Sequence, residues 1–273
     1  MTHTTRLIGL DWATKADRVG VVTACFDGQH VVIESARALS ELARTRGQTD
    51  AHGIECASAL NALAHSSGDV DATLLCVDAP LGWPDAFRAL VGDHDAGDGV
   101  PTSFDFDALF RRATDDAVAT LTGKRPLEVS ANFIGRTAGS VLAMMEHLRQ
   151  GDADAWPTLQ ECGSGHFAQG LIEVYPGALL TCLNTPSRGY KKNKKTRRAL
   201  LDELMLVYDL ELGVGVTHGA VIANDHILDA LMCVCAGLDF LAGRVHSPPE
   251  DLDIQGEGWI WVRPPHTDKE DHG

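Results

Sequence analysis

Arg6-Leu7-Ile8-Gly9-Leu10-Asp11-Trp12-Ala13 is a short apolar run that stops on a carboxylate. A run of this length and composition reads as a strand buried on both faces, and an acid at its end emerges into a crevice at the sheet's edge. Thr73-Leu74-Leu75-Cys76-Val77 copies the plan: it ends on Asp78 and is followed by Ala79-Pro80-Leu81-Gly82-Trp83-Pro84. As parallel neighbours ~4.8 Å apart, the two strands would bring Asp11 and Asp78 close enough to share one cation.

Working outward, Val19 to Phe26 reads as a second strand, Asp27-Gly28 as a hairpin turn and Val31 to Glu34 as a third strand. Residues Asp50 to Ala64 place Ile54, Ala57, Leu60 and Leu63 at helical spacing. A crossover helix between antiparallel strands and a strand returning beside the first gives a ββαβ-type start. Residues 85–169 read as an inserted helical subdomain or cap, with a glycine-rich acidic loop from Gly92 to Pro101 and a helix from Thr137 to Leu148. Gly170 to Pro176 reads as a further strand, Asn224 to Leu241 as a buried helix and Gly258 to Val262 as strand-like. The expected organisation is one domain over 1–263 and a hydrophilic, disordered tail over 264–273.

The totals narrow the classes. With 273 residues, 44% of them hydrophobic, the chain can bury a substantial core. A formal charge of −15 disfavours general coating of nucleic acid or anionic membranes unless a local patch reverses the sign. The seven cysteines form no CxxC pair and several lie in apolar runs, so reduced thiols in a cytoplasmic protein are expected. No signal peptide is recognisable, and the longest apolar stretch, Ala230 to Leu238, is far short of the ~20 residues that span a bilayer.

Several carboxylates stand where chemistry is done. Asp225 and Asp229, four apart on the C-terminal helix, share one face. Asp225 is equally explained by the macrodipole at a helix start. Asp229 sits among Ile227, Leu228, Leu231 and Met232, where an unpaired charge is costly. Taken singly, Asp11 and Asp78 are also read as turn-forming residues at strand ends. Together with Asp229 they are a donor set for hard cations such as Mg²⁺ or Mn²⁺, and two such ions can drive phosphodiester hydrolysis. Arg188, Lys191, Lys192, Lys194, Lys195, Arg197 and Arg198 form the one dense basic run, either a solvated face or the place for a polyanion to dock. The histidines make no HxxxH or HExxH pattern, which argues against a zinc enzyme.

The ordered set Gly9-Leu10-Asp11-Trp12-Ala13, Val77-Asp78-Ala79-Pro80-Leu81-Gly82, Arg112-Ala113-Thr114-Asp115, Glu173-Val174-Tyr175-Pro176 and Asp225-His226-Ile227-Leu228-Asp229-Ala230-Leu231 resembles a family of unknown function described as predicted nucleases with an RNase H-like fold. The resemblance implies an α/β fold with a mixed five-stranded sheet in the order 3-2-1-4-5. It also implies metal ligands at Asp11, Asp78 and Asp229, with Asp225 as a further candidate. Glu173 is then either an additional ligand or general base, or a residue that bonds the backbone at a strand end. Arg112 and Asp115 are either an anion clamp held by its own carboxylate or a surface ion pair; the resemblance favours a site role.

The reading that follows is a metal-dependent nuclease or phosphodiesterase, with the Arg188 to Arg198 segment holding phosphates of a nucleic acid or nucleotide. Two alternatives stand beside it. One is an ATP-dependent phosphotransferase or ATPase of the related actin-like core, disfavoured because Trp12-Ala13-Thr14 is not a glycine loop and the chain has room for one full core. The other is a non-catalytic nucleic-acid or nucleotide-binding module.

Overall fold

A computed structural model describes residues 3–265 except 46–48, 67–69, 100–104, 153, 164–166, 186, 251 and 253. The opening run is strand β1 (Thr5–Asp11), and it lies inside a mixed sheet. β2 (Gly20–Phe26) and β3 (Val31–Ala38) follow as antiparallel neighbours. Asp27 makes the turn between them, its Oδ1 accepting from the backbone N–H groups of Gln29 at 2.8 Å and His30 at 2.7 Å. β4 (Ala72–Asp78) returns parallel to β1, β5 (Gln169–Glu173) adds parallel to β4, and β6 (Leu210–Leu212) adds parallel to β3.

The sheet therefore has six strands in the order β5-β4-β1-β2-β3-β6, which corrects the expected five-stranded order. The added strand is only Leu-Glu-Leu, too short for alternation to announce it. Gly258 to Val262, expected as strand-like, contributes only an isolated bridge from Ile260 to Glu173. Its apolar character serves burial instead, since Trp259, Ile260 and Trp261 are all in the core. The expected tail lies outside the described residues from 266 onward, as does the end of the expected acidic loop from residue 100.

The helices in chain order are α1 (Leu39–Leu42), α2 (Ile54–Ala64), α3 (Asp85–Asp93), α4 (Ala113–Thr122), α5 (Asn132–Arg149), α6 (Pro176–Cys182), α7 (Lys194–Tyr208), α8 (His218–Val221) and α9 (Asp225–Leu241). Strand side chains alternate between faces, and the two faces have separate covers. Leu7, Val22, Leu74, Cys76 and Ile172 pack against α6, α7 and α9. Ile8, Leu10, Val21, Leu75 and Val77 pack against α2 and α5. Val141, Met144, Met145 and Leu148 of α5 are buried in that second cluster, so this part of the 85–169 segment covers the sheet directly.

α9 lies unusually close to the central strands because glycine stands at each contact. A Cβ on Gly9 would fall 2.1 Å from the carbonyl oxygen of Ala230, and one on Gly20 would fall 2.0 Å from that of His226. Gly237 gives the same freedom from the helix side, where a Cβ would meet Cys76 Sγ at 2.4 Å. Any side chain at these positions would push the helix off the sheet. All seven cysteines are free, and no helix among the described residues is long and apolar enough to cross a membrane.

Candidate active site

Strand parity decides which way the acids point. Asp11 follows Leu7 and Gly9 at steps of two, and Asp78 follows Leu74 and Cys76, so both carboxylates leave the sheet on the α9 face. They are register partners across the parallel β1–β4 pair. The close seating of α9 then sets its first two turns over the ends of those strands, with His226 and Asp229 facing them. In this way the two glycines of the sheet position the functional side chains of the helix.

Each acid is held differently. Asp11 Oδ2 lies 2.6 Å from His226 Nδ1. Burial raises the Asp11 carboxyl above its ordinary range, and the histidine pulls it partly back. The same hydrogen bond raises His226, favouring imidazolium. Asp229, 2% exposed, accepts from Tyr190 Oη at 2.8 Å and pairs with Lys191 Nζ at 3.2 Å. Burial and then Asp11 push it up to about 6 against that help. Asp78 receives no hydrogen bond from any described residue. Burial, followed by the charges of Asp11 and Asp229, raises it well above the usual carboxylate range. Asp225 lies one turn before Asp229 behind the Asn224 cap and makes no ion pair among the described residues.

Arg112, Asp115 and Glu173 form a buried strut rather than an open clamp or a surface pair. Arg112 Nη1 and Nη2 reach the two Glu173 carboxylate oxygens at 2.8 and 2.7 Å. Nε and Nη2 bond Asp115 at 3.2 and 2.9 Å, and Nη1 also donates to the Glu257 carbonyl at 3.1 Å. All five guanidinium N–H donors are used within the protein, which leaves none for a ligand. Glu173 additionally accepts from the backbone N–H of Leu81 at 3.0 Å, tying β5 to the loop that leaves β4. Its two oxygens are thus committed to the frame beside the acids. Glu257 caps two helix starts at once, its carboxylate accepting from Asp85 N and Ala113 N, each at 2.7 Å.

The basic run divides by function. Arg197 is buried and donates to the carbonyls of Ile222, Tyr190 and Lys191 at 3.1, 3.1 and 3.2 Å, so it fixes the loop that carries Tyr190 and Lys191. Lys191 exposes its stem but turns its ammonium to the acids. Asp229, Asp11 and Asp78 hold it above its ordinary value although burial pulls the other way. Arg198 is paired with Asp202 one turn along α7 at 2.8 Å. Lys192, Lys194 and Lys195 are exposed, and Asn193 caps α7 by accepting from Lys195 N at 2.9 Å.

Asp11, Asp78, Lys191, Arg112 and Glu173 border one cavity of about 330 Å³, with Trp12, Leu127, Ile134 and Tyr175 among its other walls. His226 and Tyr190 enter the site as hydrogen-bond partners of Asp11 and Asp229, roles that local chain pattern does not assign. Among the described residues, no group of three or more His, Cys, Asp or Glu side chains already stands in a metal-holding arrangement.

No curated protein and no solved structure matches the chain. A family model described as "Protein of unknown function (DUF429)" matches residues 9–254, a span that includes every acid of this site, and the chain belongs to that family.

Proposed function

We propose that the cavity hydrolyses a phosphate ester with the help of Mg²⁺ or Mn²⁺ held by Asp11 and Asp78, with Asp229 beside them. The observation that carries this reading is Asp78: a carboxylate lining the cavity, without a hydrogen-bond donor among the described residues and pressed by two further acids. An arrangement so costly without a partner suits a hard cation, and three carboxylates with no thiolate are an oxygen donor set of the kind Mg²⁺ and Mn²⁺ take. A cation there would supply positive charge to the phosphoryl oxygens and acidify water in contact with it. The protein's own groups do the rest. Tyr190 fixes one oxygen of Asp229, His226 fixes one oxygen of Asp11, and Lys191 offers an ammonium to the phosphate within the same cavity. The Arg112–Glu173 strut keeps the cavity wall in place. An RNase H-like architecture belongs to the same proposal, supported by strand-end acids on adjacent parallel strands and a third acid on the last helix.

One observation favours a second reading, a non-catalytic binding module. The ammonium of Lys191 already pairs with Asp229. Calorimetric titration of Mg²⁺ and Mn²⁺ into the wild type and Asp11→Asn decides between them, with labelled single- and double-stranded DNA and RNA incubated alongside. Hydrolysis predicts cation binding lost in the variant and cleavage that requires the cation. Cleavage at an equal rate by Asp11→Asn, or no binding at millimolar cation, would overturn it.

A further inference from the structure

The cavity is divided chemically. Its lining combines the charged Asp11, Asp78 and Lys191 with the apolar side chains of Pro126, Leu127 and Ile134. Leu127, in the connection between α4 and α5, is 68% exposed and Phe133, at the start of α5, is 79% exposed, so each presents a large apolar side chain to solvent. Neither packs into any core cluster among the described residues. The volume, about 330 Å³, is at the lower end of what encloses a small-molecule ligand, about 300 Å³, and suits one nucleotide rather than a base pair. Beyond Lys191 the exposed Lys192, Lys194 and Lys195 continue the positive charge on a chain whose net charge is −15. A ligand with one flat apolar group and a single phosphate would leave those lysines unused, whereas a strand with flanking phosphates engages them.

We propose that the cavity receives one unpaired nucleotide of a single-stranded nucleic acid. Its base lies against Pro126, Leu127 and Ile134, its phosphate faces the acids and Lys191, and the neighbouring phosphates run along Lys192 to Lys195. The choice of substrate rests on the hydrolytic reading above, but its recognition is separable from turnover. A duplex keeps its bases stacked and paired, so it cannot present one to this wall without extrusion.

The test is fluorescence anisotropy with three labelled probes of one length: a mixed-sequence single strand, the same strand in a blunt duplex, and an abasic single strand. Each is titrated with the full chain in Ca²⁺ and in chelator, and phosphatidylserine vesicles are offered as a competitor. The expected result is binding of the single strand at least about tenfold tighter than of either other probe, as loss of a base contact implies. Leu127→Asn, at an exposed position, is expected to weaken the single strand about fivefold and leave the abasic strand unchanged. Equal binding of duplex or abasic strand, no effect of Leu127→Asn, or displacement by vesicles would overturn the inference. Selective binding without cleavage would remove the hydrolytic reading and keep the recognition; cleavage without selectivity would do the reverse.

Discussion

Asp78→Asn is expected to stabilise the cation-free protein while abolishing its response to cations. Asparagine keeps the shape of the side chain and removes one of three negative charges crowded at the ends of β1 and β4 and the start of α9. Asp229 gives the scale. Its carboxyl is pushed from 3.8 to about 6, roughly two pH units at about 1.4 kcal/mol each, or roughly 3 kcal/mol held in one acid. Burial is the largest part of that, so removing a neighbouring charge recovers about 1–2 kcal/mol, which for a chain of this size raises Tm by roughly 3–6 °C. The pH dependence follows from the raised acids. The folded state binds protons more tightly than the unfolded one, so the stability difference is absent below the ordinary carboxylate value of 3.8 and grows as the pH rises through the raised value of Asp78. Calorimetric scans in chelator should therefore show the variant melting higher than wild type at pH 7.5, with the gap closing as the pH falls toward 4. Millimolar Mg²⁺ should raise the wild-type Tm and leave the variant's unchanged. A variant that melts lower than wild type at neutral pH would refute the reasoning, because it would mean that favourable contacts hold the Asp78 carboxylate.

Arg112→Lys should cost about 3–5 kcal/mol in urea unfolding, because a single ammonium cannot satisfy Asp115 and Glu173 together and leaves buried charge uncompensated; an unchanged midpoint would show that the strut is dispensable. Lys191→Met should tighten Mg²⁺ binding roughly 5- to 30-fold in calorimetry. It removes an ammonium 3.2 Å from Asp229 whose repulsion of a cation is cut by solvent to about 1–2 kcal/mol. Unchanged or weaker binding would contradict that role for the ammonium.

Much of the frame was legible because burial leaves its mark on composition. β1 and β4 are apolar runs bounded by acids, and α9 is apolar on nearly every side, so each announces itself without neighbours. β6 was not legible, since three residues carry no period and are a strand only because the edge of β3 is there to pair with. The apolar 258–262 stretch misled for the opposite reason: its tryptophans fill the core without a ladder.

The site divides in the same way. By itself the sequence determined that Asp11 and Asp78 end buried strands and that Asp229 lies in an apolar helix, because those facts follow from local pattern. Only the tertiary structure decided that Asp11 holds His226 and Tyr190 donates to Asp229, and that Arg112 spends all its donors on Glu173, Asp115 and Glu257. Apart from the Arg112–Asp115 pair, three apart in the chain, those contacts join residues 39 to 215 positions apart, and chain pattern has no term for them. The contacts of His226 and Asp229 exist because Gly9 and Gly20 let α9 come down onto the sheet.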